Sequence, residues 1–280
     1  MIWRILARAR TFIEKCKKDN ISAFAAQSAF FIVLSLIPFI MLFISLVQYT
    51  PVKEGMILNM VHSVMPAYIS PFLIGIIHEM YNNSIGIVSV AAVVAVWSAA
   101  KGIQYLMGGL NSVYDIEETR NWLFLRFRAI LYTLLLVIAI VASLTLMVFG
   151  NSLQYLFTQY LPIIANITFW ILQRRSLILL AILILFFAVL YKMLPNRKAT
   201  FKSQLPGSVM AAVGWAFLSF GISIYVDYFN GFSMYGSLTT IILVMLWLYF
   251  GIYILLVCAE FNNVYEDYRL LKERDGYRDI

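Results

Sequence analysis

Long stretches without a single charge constrain this chain more than any other feature. No Asp, Glu, Lys or Arg occurs in residues 20–52, 80–100, 129–173, 176–191, 203–226 or 228–259. A helix needs about 20 apolar residues to cross a hydrocarbon core about 30 Å thick, so stretches of this length read as membrane spans. Composition agrees: 62% of the 280 residues are hydrophobic and 12% charged. A soluble domain has roughly 45–50% and 25%. Such a chain cannot cover itself with water-compatible surface, which excludes a disordered tail, a disulfide scaffold and a soluble enzyme. The expected fold is all-α and polytopic, with six spans near 25–49, 84–110, 128–150, 174–194, 205–226 and 236–260.

Cations orient these spans. Arg4, Arg8, Arg10, Lys15, Lys17 and Lys18 precede the first, and Arg120, Arg126 and Arg128 follow the second. Lys192, Arg197, Lys198 and Lys202 join the fourth to the fifth, and Arg269, Lys272, Arg274 and Arg278 occupy the tail. These 17 share one side, against Lys53, Arg174 and Arg175 on the other. Cytoplasmic loops collect Lys and Arg, so both termini are expected inside. The 129–173 stretch is long enough for two crossings, but a seventh would send the cations of 192–202 outside. Residues 152–173, broken by Pro162, and 51–83, with Pro66 and Pro71, are therefore expected as short helices or hairpins at the outer surface. The first apolar stretch is too long for a signal-peptide core and is read as a retained helix. The organisation expected is a basic cytoplasmic arm over 1–22, a six-helix domain over 23–263 and a polar cytoplasmic tail over 264–280.

In the arm, Ile2, Leu6, Ala9, Ile13 and Cys16 alternate spacings of four and three. This predicts a basic amphipathic helix suited to anionic inner-leaflet headgroups, with a plain topology-setting flank as the simpler alternative. Asp19, Asn20 and Ser22 offer caps for the span that follows. Ala91, Ala95 and Ala99 in the second span, continued by Ser98-x-x-x-Gly102, and Ser208, Ala212 and Ala216 in the fifth, form small-residue faces. In lipid such faces allow close helix approach. Packing within the chain is the first reading, a homo-oligomer seam the second. Pro38 is expected to kink the first span.

Lys101, Gln104, Gly108 and Asn111 share one helical face, with Lys101 nine residues, or about 13 Å, inside the cytoplasmic boundary. A charge at the centre of a span costs about 2.5–3.5 kcal/mol and should face protein, water or an anion. Tyr249, Tyr253, Glu260 and Asn263 make a matching face in the sixth span, and Gln27 and Ser28 lie at similar depth in the first. Two readings stay open: Lys101 pairs with Glu260 and locks helices, or it binds a ligand in a cytoplasm-facing cavity between spans one, two and six. Catalytic spacings are missing. His62 and His78 are the two histidines, Cys16 and Cys258 the two cysteines, and neither set carries metal-ligand spacing. Without a phosphate-binding loop or a Gly-x-Ser-x-Gly elbow, no catalytic residue, metal or cofactor is expected. Arg120-Asn-Trp122 and Arg126-Phe-Arg128 adjoin a span and read as headgroup anchors, not as a nucleic-acid patch.

Several segments carry a family resemblance. They are Tyr191-Lys-Met-Leu-Pro-Asn-Arg-Lys198, Leu205-Pro-Gly-Ser208, Tyr235-Gly-Ser-Leu238, Trp247-Leu-Tyr249 and Cys258-Ala-Glu-Phe-Asn262. Residues 28–39, Trp97-Ser98, Leu110-Asn-Ser-Val-Tyr114 and Arg120-Asn-Trp122 fit the same pattern. In order and spacing the chain resembles, over nearly its whole length, the YihY/BrkB family of bacterial inner-membrane proteins. The resemblance implies a multispan membrane protein with suggested links to virulence and to movement of lipid-like molecules. An old ribonuclease BN label for the family is regarded as mistaken, and the residues present give it no support. The chain departs from the pattern at Cys258, where the family prefers Gly and a close helix contact is expected. The function expected is translocation of an anionic lipid or lipid-linked amphiphile by a non-enzyme, with membrane lipids as partners and no nucleic acid. A non-transporting membrane organiser is the alternative.

Overall fold

A computed structural model describes residues 2–48, 54–64, 85–134, 175–229 and 237–276, together with 70, 74, 75, 77 and 78. Among these residues all regular structure is helical: α1 (Ile2–Lys18), α2 (Ile21–Gln48), α3 (Glu54–Val64), α4 (Ile85–Val113), α5 (122–134), α6 (Arg175–Met193), α7 (Phe201–Phe229) and α8 (Ser237–Gly276). The amphipathic arm forms over the expected residues. It ends at Asn20, whose φ of 53° is the left-handed geometry that terminates a helix. The Asn20 amide bonds back to the Lys17 carbonyl, while the Asn20 carbonyl accepts the Phe24 amide that opens α2. One residue thus stops α1 and starts α2, with a 50° bend between them. Asp115 (φ 51°) closes α4 in the same way: its amide bonds Ser112 and the Ile116 amide bonds Asn111.

α2 packs most extensively on α4, and α6 on α7; α8 lies between these pairs, touching α2, α4 and α7. The seams are built on small residues. A Cβ at Gly102 would stand 2.7 Å from Ile32 Cγ1 and 3.1 Å from the Ser28 carbonyl oxygen, and one at Gly109 2.9 Å from Phe24 Cβ. On the other seam a Cβ at Gly214 would stand 2.8 Å from Ile254 Cγ2, and one at Gly207 would overlap the Cys258 carbonyl oxygen. Each pair is seven residues apart, about two turns, so each forms a continuous line of close approach along its helix. The contact expected of a family Gly at 258 is therefore kept, supplied by Gly207 of the facing helix. Ala212 and Ser208 are fully buried, Ala99 is half-buried, and the fully buried alanine of α4 is Ala100, one position round from the expected face. The side chain of Ala95 lies outside the described residues. α2 runs through Pro38 without interruption to Gln48.

Phe201–Val226 and Ile241–Glu266 are long and apolar enough to cross a membrane, and a third span is reached if the bent pair Arg10–Lys18 and Ile21–Leu36 is counted as one. Leu180–Met193 is a shorter apolar helix. Two or three, where six were expected, reflects which residues are described. Residues 135–174, holding most of the expected third span and the second outer segment, lie outside them, as do side chains along the outer parts of α2, α4 and α6. Apolar side chains on α4 and α7, among them Val90, Val93, Phe217 and Phe220, face outward over more than three-fifths of their area. That is the surface a lipid-facing helix presents.

One end of the bundle gathers the charged connections. The Asn196 amide bonds Asn111 Oδ1 at 2.9 Å, Asn196 Nδ2 bonds Thr119 Oγ1 at 3.0 Å, and the Ser112 hydroxyl bonds the Asp19 carbonyl at 3.1 Å. Arg197 pairs with Glu266 at 3.0 Å. The arm, the 114–121 loop, the 194–200 loop and α8 near Glu266 thus meet, and most of the Lys and Arg lie in these segments or in the helix turns that flank them.

Candidate functional site

The α1–α2 elbow positions a buried ion pair. Lys15, in the last turn of α1, places Nζ 2.9 Å from Glu260 Oε1 of α8 and 3.7 Å from Asp115 Oδ2. The Glu260 side chain has no exposed surface, and a quarter of the Lys15 side chain is exposed. Distance and charge join the pair, but neither Glu260 oxygen meets the angular geometry of a hydrogen bond. Asp19 is buried beside them, and that burial, aided by the Asp115 charge, raises its carboxyl above the usual aspartate range.

Glu260 therefore pairs with Lys15, not with Lys101. The reason lies in the elbow, whose 50° bend sets the last turn of α1 against Glu260 of α8; span periodicity alone does not register that. Lys101 is half-buried with Nζ 4.9 Å from the centre of the Phe31 ring, and no acid pairs with it among the described residues. The remaining expected residues part company. Gln27 is exposed. Gln104 Oε1 accepts from Arg126 Nη1 at 2.6 Å, Asn111 Nδ2 donates to Glu118 Oε2 at 2.7 Å, and Asn263 Nδ2 donates to the Val113 carbonyl at 2.8 Å. Spans one, two and six do meet, and Ser22 Oγ lies 3.0 Å from the Tyr249 hydroxyl, but the bonds of Gln104, Asn111 and Asn263 run to α4, α5 and the charged loops and not to Lys101.

Arg126 also departs from expectation. In place of a headgroup anchor it is a buried residue: Nη2 donates to the Trp97 carbonyl at 2.8 Å and the guanidinium lies 3.8 Å over the Trp97 ring. Placed on the inner side of α5, it satisfies α4 carbonyl and amide groups that lipid could not. Trp122 is 61% exposed and keeps the character of an interfacial anchor.

Gln104, Gly108 and Asn111 line a cavity of about 380 Å³ with Ser112, Glu118 and Leu125. Its carboxylate and amide are already engaged. Arg120 holds Glu118 through Nε at 2.7 Å and Nη2 at 2.6 Å, and those bonds set its carboxyl below the usual glutamate range despite its burial. A second network, which sequence reasoning missed, joins the end of α4, α6, α7 and α8. The Tyr114 hydroxyl donates to Gln204 Oε1 at 3.0 Å, the Gly207 amide to Asn262 Oδ1 at 2.7 Å, and the Tyr191 hydroxyl to the Leu255 carbonyl at 2.7 Å. The available signal was Asn262 and Gly207 within the recognised segments. A groove of about 570 Å³ between α1, α2 and α8 was also not foreseen.

Cys16 is half-buried and burial pushes its thiol up to about 11, leaving little thiolate for nucleophilic chemistry. Among the described residues no three His, Cys, Asp or Glu are grouped to hold a metal ion. His78 Nδ1 lies 2.7 Å from Glu54 Oε1, and the His62 side chain is outside the described residues.

Comparison with known proteins reaches most of the chain. It is 31% identical over 256 residues to the ribonuclease-like protein YfkH of Bacillus subtilis, covering 90% of this chain and 93% of that protein. A UPF0761 membrane protein of Alteromonas mediterranea is 27% identical, covering 90% of this chain and 85% of the relative. One of Pseudoalteromonas atlantica is 23% identical, covering 97% and 90%. No solved structure matches. Residues 12–279 match the family described as Virulence factor BrkB. With its apolar helices, the chain is a membrane protein of the BrkB family.

Proposed function

We propose that this protein is a non-enzymatic, six-span protein of the bacterial cytoplasmic membrane, with both termini inside, that translocates an anionic lipid or lipid-linked amphiphile. The meeting of the arm, the two loops and α8 at one end supports the topology, since most of the Lys and Arg lie in or beside them and so share a single side. The observation that carries the transport reading is Lys101. It lies half-buried in a 29-residue helix with no acid beside it among the described residues, and Glu260, the partner its depth suggested, is held by Lys15. The Phe31 ring 4.9 Å away compensates a cation only in part. A passing anionic headgroup supplies the counter-charge that the chain withholds. The test is purified protein in vesicles carrying fluorescent phosphatidylglycerol, with flip measured by loss of the signal accessible to an external quencher. Faster flip than in protein-free vesicles supports the reading, and equal rates for several headgroups contradict it.

One observation favours a second reading, a non-transporting protein that organises the bilayer. Neither the 380 Å³ cavity nor the 570 Å³ groove is lined by Lys101. The same vesicle assay separates the two, because an organiser leaves flip unchanged. The ribonuclease-like name belongs to the Bacillus relative, and the inert Cys16 and the lack, among the described residues, of three His, Cys, Asp or Glu grouped to hold a metal ion argue against such chemistry.

A further inference from the structure

The groove beneath the α1–α2 elbow has two kinds of wall. Ile13, Ile21, Tyr253 and Val257 make its apolar floor and sides, and Ala23 and Ala26 leave its flank open because their side chains are small and outward-facing. At its mouth stands Lys17, an exposed residue and the one charged side chain among those lining it. No acid pairs with Lys17 among the described residues, whereas Lys15 is held by Glu260 and Arg10 by Glu14 at 2.8 Å. At about 570 Å³ the groove is within the range of roughly 300–1,000 Å³ typical of small-molecule sites.

Its depth matches its chemistry. The elbow is where the basic arm meets the first apolar span, so the cation lies at headgroup level and the apolar walls descend beside α2 and α8. An amphiphile with one negative charge and an acyl chain satisfies both walls at once. A zwitterionic lipid satisfies the apolar wall and leaves Lys17 without a net counter-charge. We propose that this groove binds one inner-leaflet anionic phospholipid, its acyl chain against Ile21 and Val257 and its phosphate at Lys17. The site is separate from Lys101 and does not rest on the transport reading: it holds α1 against the membrane whether or not lipid crosses.

Delipidated protein in detergent, titrated with dioleoylphosphatidylglycerol or dioleoylphosphatidylcholine and read by native mass spectrometry, tests this. Wild type should bind the first phosphatidylglycerol about fivefold more tightly than phosphatidylcholine, the effect of about one cation at the surface. Lys17→Gln should bring the two lipids near parity. Ala26→Trp, which fills the groove from its exposed flank, should weaken both about tenfold, the equivalent of two displaced methylenes. Ala23→Trp, one turn earlier, repeats the test if the first variant folds poorly. Lys101→Met should bind as wild type does. Equal affinity of wild type for the two lipids, wild-type binding by both tryptophan variants, or loss of binding in Lys101→Met would overturn the assignment.

Discussion

Two glycines of α7 meet opposite surroundings. At Gly207, near the charged end, a Cβ would overlap the Cys258 carbonyl and stand 2.5 Å from Asn262 Nδ2, while at Gly221 nothing lies within 4 Å. The contrast extends to the regions around them. Near Gly207 the helices touch backbone to backbone and are tied by Asn262, Gln204, Tyr114 and Tyr191, every one buried. Around Gly221 the neighbours Phe217, Phe220 and Ile224 face outward. Lipid tails are as apolar as these side chains, so they gain little by meeting another helix. Uniqueness of packing is thus concentrated at the charged end, where an unmet polar group or a displaced backbone is expensive.

The largest effect should come from breaking that close contact. Gly207→Val is expected to cost at least about 3 kcal/mol, the upper part of the range for overpacking, because the obstacle is backbone and cannot rotate away. Gly221→Ala should stay within about 1 kcal/mol of wild type, on the stabilising side, since alanine favours a helix interior. Thermal unfolding of both variants in mild detergent measures the difference; equal shifts would erase the contrast between the regions.

The buried ion pair comes next. Lys15→Met leaves Glu260 unpaired and should cost about 2 kcal/mol, less than a fully buried pair because Lys15 is partly exposed. Adding Glu260→Gln should restore much of that loss, and additive losses in the double variant would mean the two side chains are not coupled. The smallest effect is on pH. Arg120 holds the Glu118 carboxyl below its usual range, so its contribution is complete above about pH 4.3 and is lost as pH falls through the lower folded value. Unfolding midpoints should therefore show an acid-side decline that Glu118→Gln removes. Because Glu118 is partly exposed, salt should weaken this too.

How much of this was legible in the sequence follows from the same contrast. The amphipathic arm was, because its period is local and its end coincides with Asn20. Gly102 and Ala212 were legible as close-approach positions because small residues in a span have few other uses. The Lys15–Glu260 pair was not. It depends on a 50° bend between α1 and α2, and pairing Glu260 by depth alone led to Lys101. Arg126 was misplaced for a related reason: a cation beside a span can turn outward to headgroups or inward to Gln104, and sequence does not fix the rotation of α5. The Asn111–Glu118–Arg120 knot joins a helix to its own following loop, whose course only the fold provides.

With Glu260 held by Lys15, Lys101 is a half-buried cation with no acid beside it among the described residues, and the functional reading rests on it. Lys101→Met measured at once for phosphatidylglycerol flip in vesicles and for thermal unfolding tests that reading most directly. The account predicts flip reduced to the protein-free rate with an unfolding midpoint close to wild type. Wild-type flip in Lys101→Met, or a stability loss as large as that of Lys15→Met, would contradict it.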